Sequence, residues 1–103
     1  MNLDRIFDAL ASSPRRRILA WLSRAELTTS ELAARAEMSP PAMSRHLSVL
    51  ENAGLAASRR DGQRVLYSLV RDTLVDALGS FASELSPAGR PQTFETKVKR
   101  EAI

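Results

Sequence analysis

The sequence predicts a small domain that is mainly α-helical and carries one β-hairpin between its fourth and fifth helices. Apolar residues recur every three or four positions through most of residues 1–85, which is typical of amphipathic helices. Capping residues and prolines divide this pattern into segments, and Asp61-Gly62 separates two extended runs, a strong hairpin signal. We expect the order α-α-α-α-β-β-α in one domain over residues 1–85, followed by a flexible tail over residues 86–103.

The composition of the chain excludes several classes of functional site. A chain of 103 residues suits one domain, and its formal net charge of +3 is compatible with a nucleic-acid partner. The chain has no cysteine, which excludes disulfides, thiolate metal sites and a cysteine nucleophile. Charged and apolar residues alternate at the N-terminus, and no apolar run is long enough to span a membrane. We therefore expect a cytoplasmic protein without a membrane partner.

Two helices are predicted before residue 25. Ser13 is expected to cap the second helix, with Pro14 at its first position, where a proline is tolerated. Arg15, Arg16 and Arg17 then place positive charge against the positive end of the helix dipole. We expect these arginines to have a partner, either a phosphate or a carboxylate elsewhere. The apolar stripe of the first helix consists of Leu3, Ile6, Phe7 and Leu10.

Two short helices follow, separated by a tight turn. Thr28 and Glu31 have the spacing of a capping box, which starts a third helix over about Thr29–Ala36. Ser39 is expected to cap the fourth helix with Pro40 at its first position, and Gly54 to end it. The buried face of the fourth helix is expected to hold Met43, Leu47 and Leu50.

The hairpin and the last helix complete the predicted domain. Leu55–Arg60 and Gln63–Leu69 are expected to form the strands on either side of Asp61-Gly62. A helix is predicted over about residues 72–85, with Leu74, Leu78, Phe81 and Leu85 on one stripe. In the tail, the alternation of Phe94, Thr96 and Val98 leaves open a short strand or a packing arm.

This order of elements is that of a winged helix-turn-helix, in which the hairpin is the wing and the fourth helix is the recognition helix. Outward polar residues of the recognition helix suit base edges and phosphates, and its N-terminal N–H groups favour a phosphate. Arginines at the tip of the wing suit the DNA backbone or a minor groove. The predicted DNA contacts are Ser39, Pro41, Ser44, Arg45, His46, Ser48, Arg59, Arg60, Gln63 and Arg64.

Several motifs, in this order, resemble the arsenic-repressor (ArsR/SmtB) family. The resemblance covers about residues 3–85 and implies a homodimer, operator binding and repression that an effector relieves. The runs that carry the resemblance are Ser13–Leu19, Thr28–Ala33, Met38–Leu47, Leu50–Leu55 and Asp61–Tyr67.

Two departures from the family pattern limit what the resemblance implies. Many relatives sense metals through cysteines in the third helix or through His and Asp in the last helix, but here cysteine is absent and the one histidine, His46, lies in the recognition helix. Asp72, Asp76 and Glu84 would form only a weak carboxylate site, so we expect no metal and no cofactor. Pro40-Pro41 stands where many relatives carry Gln or Ser, so this position has no side-chain donor. A small-molecule effector, a protein effector and the absence of any effector all stay open.

The apolar stripes of the first and last helices serve either as plain core or also as a dimer interface. We expect a homodimer that binds double-stranded DNA at an inverted repeat. It is expected to regulate transcription as a repressor. The alternative is a protein-interaction module that keeps the winged scaffold. An enzyme has little support, because the sequence has no Gly-rich phosphate loop and no nucleophile paired with a base. The candidate interface residues are Ile6, Phe7, Leu10, Leu78, Phe81 and Leu85.

Overall fold

The computed structural model describes residues 2–87, which contain five helices and a three-stranded antiparallel sheet. The predicted order of helices and hairpin is confirmed, and the last helix begins and ends one residue earlier than expected. The expected tail lies outside the described residues from Ala88 onward, as do Phe94, Thr96 and Val98. The elements are α1 Leu3–Leu10, α2 Ser13–Leu22, β1 Leu27–Thr28, α3 Thr29–Ala36, α4 Pro40–Asn52, β2 Ala56–Asp61, β3 Arg64–Leu69 and α5 Arg71–Glu84.

The short strand β1 was not predicted. It pairs with β3 through Leu27↔Tyr67 and Thr28↔Leu66, which makes β3 the central strand of the order β1-β3-β2. Two residues are too few to show an alternating pattern, and Thr28 also caps the helix that follows. The pairing attaches the base of the wing to the start of α3.

Side-chain caps define the starts of the first four helices. The capping box at α3 is confirmed, because Thr28 Oγ1 accepts from the Glu31 N–H (3.1 Å) and Glu31 Oε1 accepts from the Thr28 N–H (2.9 Å). The cap of α2 is Ser12 rather than Ser13, and its Oγ accepts from the Arg15 N–H at 3.4 Å. Either serine can cap a helix, so the sequence alone did not separate them.

The arginines at the start of α2 bind the end of α1. Arg15 donates from Nε to the Ala9 carbonyl (2.8 Å) and from Nη2 to the Asp8 carbonyl (3.0 Å), and Arg16 Nη1 donates to the Leu10 carbonyl (2.6 Å). The last carbonyls of a helix lack intrahelical partners and carry the negative end of its dipole. The expected partner of Arg15 and Arg16 is therefore corrected: it is neither a phosphate nor a carboxylate but the C-terminus of α1.

Arg15 also reaches the recognition helix. Its Nη1 lies 3.4 Å from Nδ1 of His46, which is half-buried in α4. Burial, and then the positive charge of Arg15, lower the pKa of His46 below its ordinary value. The imidazole is therefore neutral near pH 7, and Nδ1 can accept a hydrogen bond from the guanidinium.

The core lies where α1, α2, α3 and α4 meet the base of the sheet, and α5 contributes only Ala77 to the buried residues within the described range. Ile6 is 1% exposed, because its side chain points into this core. It has no surface to offer a second copy, which corrects the predicted interface at that position. Phe7 and Phe81 pack edge to face with ring centroids 5.4 Å apart, joining α1 to α5. No helix within residues 2–87 is long and apolar enough to cross a membrane.

Replacing Arg15 with Lys should lower the free energy of unfolding by about 1–3 kcal/mol, because one ammonium group cannot reproduce the forked contact to two carbonyls and His46. Urea denaturation followed by circular dichroism measures this change. The matched control is Arg17→Lys: the Arg17 guanidinium lies 6.0 Å from the Trp21 ring centroid, a contact worth less than about 1 kcal/mol at an exposed site. Equal losses in the two variants would contradict the assigned role of Arg15.

Stability should also depend on the protonation of His46, whose pKa is lower in the folded chain than its ordinary value of 6.5. Between these two values the unfolded chain binds more protons, so lowering the pH through 6.5 favours unfolding. We expect the free energy of unfolding to fall as the pH is lowered through 6.5 and to stop falling only below the pKa of His46 in the folded chain. His46→Gln should remove this part of the fall, since Gln keeps an acceptor and does not titrate. An identical pH dependence in both proteins would exclude His46 as its source.

Candidate nucleic-acid interface

A sharp turn sets the angle between α3 and α4. Glu37 adopts a left-handed conformation (φ 54°) directly after α3, and the N–H groups of Glu37 and Met38 donate to the carbonyls of Ala34 (3.3 Å) and Ala33 (3.1 Å). The chain therefore reverses within three residues and enters α4 at Pro40. Sequence reasoning missed Glu37, because glycine or asparagine is the usual signal for this conformation.

The recognition helix α4 has two distinct faces. Met43, Leu47 and Leu50 are 0% exposed and hold the helix against the core. The opposite residues are exposed and follow the spacing i, i+3, i+4, i+7, so they share one face. The structure thus brings together four of the predicted contacts, Pro41, Ser44, Arg45 and Ser48.

The start of α4 offers few backbone donors. Pro40 and Pro41 have no N–H, and the Ala42 N–H donates to Ser39 Oγ at 3.3 Å. The Met43 N–H donates to the Ser39 carbonyl at 3.0 Å. The expectation that free N–H groups at this end hold a phosphate is therefore wrong, and what remains is the helix dipole and the Ser39 hydroxyl, which can still donate its proton.

The remaining predicted contact of α4, His46, lies at the edge of the buried face. It is turned toward Arg15 and is neutral near pH 7, as described above. Its charge is therefore not available to a phosphate under these conditions, and the geometry favours a packing role for the ring.

The tip of the wing is shifted by one residue from the expected position. Asp61 pairs with Arg64, so the two turn residues are Gly62-Gln63 rather than Asp61-Gly62. Gly62 has a φ of +66°, a conformation that glycine adopts without strain. The exposed Gln63 side chain thus lies at the extreme end of the hairpin.

The wing arginines differ in their ionic partners. Arg59 forms a forked pair with Glu26, with Nε–Oε2 at 2.9 Å and Nη2–Oε1 at 3.4 Å, and this hydrogen bonding raises the pKa of the Arg59 guanidinium. Arg64 Nη2 lies 3.3 Å from Asp61 Oδ2. Arg60 makes no ion pair with any residue between positions 2 and 87. Because the paired groups are exposed, solvent screens both ion pairs, and a phosphate can compete for the arginines.

The register of the hairpin separates these arginines by face. Arg59 lies opposite Leu66 and Arg60 opposite Val65, and successive residues of a strand point to opposite faces. Ser58 shares the face of Arg60 and donates its hydroxyl to Glu51 Oε2 of α4 at 3.0 Å. Arg60 therefore lies on the side of the hairpin that faces α4.

Acidic side chains do not converge on a metal site. Across the part of the chain that the structure describes, no group of three or more His, Asp or Glu residues could hold a metal ion. Asp72 and Asp76 line an open polar cleft beside Arg5, where the start of α5 lies near the end of α4.

Comparison with known proteins identifies the family. The profile of the family described as bacterial regulatory protein, arsR family, matches residues 12–58, which run from the cap of α2 through α3 and α4 into β2. The transcriptional repressor SdpR of Bacillus subtilis is 32% identical over 76 residues, which cover 74% of this chain and 84% of that protein.

Solved structures have the same fold. An ArsR-like transcriptional regulator from Rhodococcus sp. RHA1 aligns with a TM-score of 0.72 and 31% identity, covering 78% of this chain and 76% of its own. The homodimeric winged helix-turn-helix DNA-binding domain of a possible ArsR-family regulator from Mycobacterium bovis aligns with a TM-score of 0.66 and 28% identity, covering 79% and 77%.

These matches confirm the resemblance that the motifs indicated. They also favour DNA binding over a protein-interaction module, since the named relatives are transcriptional regulators. The chain is a winged helix-turn-helix transcriptional regulator that belongs to the arsR family of bacterial regulatory proteins.

Proposed function

We propose that this cytoplasmic regulator represses transcription as a homodimer bound to an inverted repeat in double-stranded DNA. The observation that carries the proposal is the exposed face of α4, which lies opposite three residues that are 0% exposed. Two-fold symmetry would put the two α4 helices into successive major grooves, about 34 Å apart, and would require a symmetric site. Repression is the activity for which the Bacillus subtilis relative is named.

Base readout rests on the middle of α4. Arg45 is exposed and forms no ion pair within residues 2–87, so its guanidinium is available for the O6 and N7 atoms of a guanine. The hydroxyls of Ser44 and Ser48 lie on the same face and can bond to base edges or phosphates. Pro41 contributes only an apolar contact. His46 supports the helix from the edge of its buried face.

The wing supplies affinity that does not depend on sequence. Arg60 and Gln63 are exposed near its tip, and Arg60 lies on the side that faces α4. Contacts to phosphates from these side chains release counterions and strengthen binding to any DNA. Arg59 and Arg64 contribute less, because each must first leave its carboxylate partner.

The homodimer is supported by apolar surface on α5. Val75, Phe81 and Leu85 are 59%, 40% and 66% exposed, although large apolar side chains are usually covered. Phe7 of α1 packs on Phe81, so the two helices form one continuous surface. The related Mycobacterium bovis domain is homodimeric. Phe7, Leu10, Leu78, Phe81 and Leu85 remain the proposed interface, joined by Val75.

Selection of bound DNA from a random pool, with a chelator present, tests the proposed DNA contacts. The protein should enrich an inverted repeat. Arg45→Ala should change the preferred base at one position in each half-site, at a cost of about 1–3 kcal/mol. Arg60→Ala should weaken binding to all sequences similarly and reduce the slope of log K against log salt by about 1. The control is Arg24→Ala, an exposed arginine outside this surface.

Two outcomes of the selection would contradict the assignment. An unchanged motif and unchanged affinity in Arg45→Ala would exclude it as a base-reading residue. Enrichment of an asymmetric site by the wild-type protein would contradict binding by a two-fold dimer.

Sedimentation equilibrium at micromolar concentration tests the dimer. Leu85→Asp should convert the dimer to a monomer with an unchanged circular dichroism spectrum, because this side chain is 66% exposed in the protomer. Ala34→Asp, at an exposed position of α3, is the control and should remain dimeric. A wild-type protein that is monomeric under these conditions would overturn the proposed interface.

A further inference from the structure

An apolar groove of about 400 Å³ runs between α2 and α5. Its walls come from one face of each helix, at positions 16, 19 and 20 of α2 with Ser23 directly after it, and at positions 71, 74 and 78 of α5. This volume falls within the range of small-molecule sites. The apolar residues that line it are Leu10, Leu19, Ala20, Leu69, Leu74 and Leu78.

An arginine lies at each end of the groove. Arg71, at the start of α5, donates from Nη2 to the Ser23 carbonyl directly after α2 (3.4 Å), so it lies at the Ser23 end of the groove. Arg16, at the start of α2, donates to the Leu10 carbonyl at the end of α1. Seven residues separate Arg16 from Ser23 along α2, which corresponds to about 10 Å.

Neither arginine is neutralised by an acidic side chain within residues 2–87. No carboxylate between residues 2 and 87 forms an ion pair with Arg16 or Arg71, and each guanidinium donates to one backbone carbonyl only. Each therefore keeps several N–H groups that can bind a carboxylate in a forked geometry. The groove thus presents apolar surface with positive charge at both ends.

We propose that this groove is a binding site for a small organic carboxylate with an apolar body, such as a medium-chain or aromatic acid. The apolar part lies along Leu19, Leu74 and Leu78, where burial removes it from water. The carboxylate pairs with Arg71, whose hydrogen bond to the Ser23 carbonyl (3.4 Å) is longer, and therefore weaker, than that of Arg16 to the Leu10 carbonyl (2.6 Å).

Charge and shape favour a small carboxylate in the groove over a segment of this chain or a second copy of it. The chain beyond Pro87 carries four basic and two acidic residues, so it shares the sign of the groove. A two-fold contact centred on the groove would place the groove against its own copy, and this would bring like charges together across a concave surface. Leu10 and Leu78 also belong to the proposed dimer surface, which places the ligand at the edge of that interface.

A ligand here would influence DNA binding, a consequence that rests on the proposed function. The groove contacts α2, which holds α4 through Arg15, and α5, which contributes to the proposed dimer. If the ligand binds the free and DNA-bound states with different affinities, it changes DNA affinity by the same factor. Binding of the ligand itself is measured without DNA, so its outcome does not depend on whether the proposed function is correct.

Isothermal titration of the full chain with octanoate, and with 1-octanol as the uncharged analogue, tests the site. Octanoate should bind once per chain and about tenfold more tightly than 1-octanol. Arg71→Gln should weaken octanoate binding by about tenfold and leave 1-octanol unaffected. Ala20→Phe should block both ligands by filling the groove from an exposed position. Arg24→Gln is the matched control, with a change below about twofold.

Three outcomes would overturn the proposal. The first is a lack of octanoate binding by the folded wild-type protein, including the case in which methyl NMR shows groove leucines in contact with a second copy. The second is equal affinity for octanoate and 1-octanol, which would exclude recognition of the charge. The third is unchanged octanoate binding in both Arg71→Gln and Ala20→Phe, which would place the ligand elsewhere.

Discussion

The guanidinium of Arg15 is the point at which three helices are fixed to one another. It belongs to α2, binds the Asp8 and Ala9 carbonyls that end α1, and contacts His46 of α4. Each contact uses a different N–H of one planar group, so a shift of α1 changes the position from which Arg15 meets α4. Arg15 therefore links the helix proposed for dimerisation to the helix proposed for base reading. A second hydrogen bond, from Arg5 Nη1 to the Asn52 carbonyl at 3.4 Å, joins α1 directly to the end of α4.

Two prolines at the start of the recognition helix favour the helical conformation but remove two hydrogen-bond donors. Pro40 and Pro41 fix φ near the helical value, which lowers the entropy lost when α4 forms. They also remove two N–H groups from the helix end where many proteins bind phosphate. In the proposed complex, affinity for the DNA backbone then comes from side chains, chiefly those of the wing, and base readout from Arg45. The proposal thus assigns affinity and specificity to different elements of the fold.

Helices and their caps could be predicted where one local interaction decides the outcome, as with Thr28–Glu31 and Ser39. The remaining features depend on contacts between distant residues. The strand β1 forms because β3 lies beside it, and Ile6 is buried because its face of α1 packs against the core. Arg15 and Arg16 bind backbone carbonyls of α1, and the spacing of residues in the sequence does not indicate these contacts. At the candidate site, the outer face of α4 followed from spacing alone. The sequence did not indicate that Arg59, Arg60 and Arg64 differ in their ionic partners, since the partner of Arg59 is Glu26, 33 residues away.

The least covered helix of the described chain is α5, and this affects both proposals. It has 14 residues, yet only Ala77 is buried, while Leu74 and Leu78 are half-buried and Leu85 is exposed. Helices of this length are marginal in water unless their apolar face is packed. Its stability therefore depends on whatever covers that face, whether a second copy along Phe81 and Leu85 or a ligand along Leu74 and Leu78. These two parts of the stripe are adjacent turns of one helix, so covering one part stabilises the helix that presents the other, and ligand binding and dimerisation become thermodynamically linked.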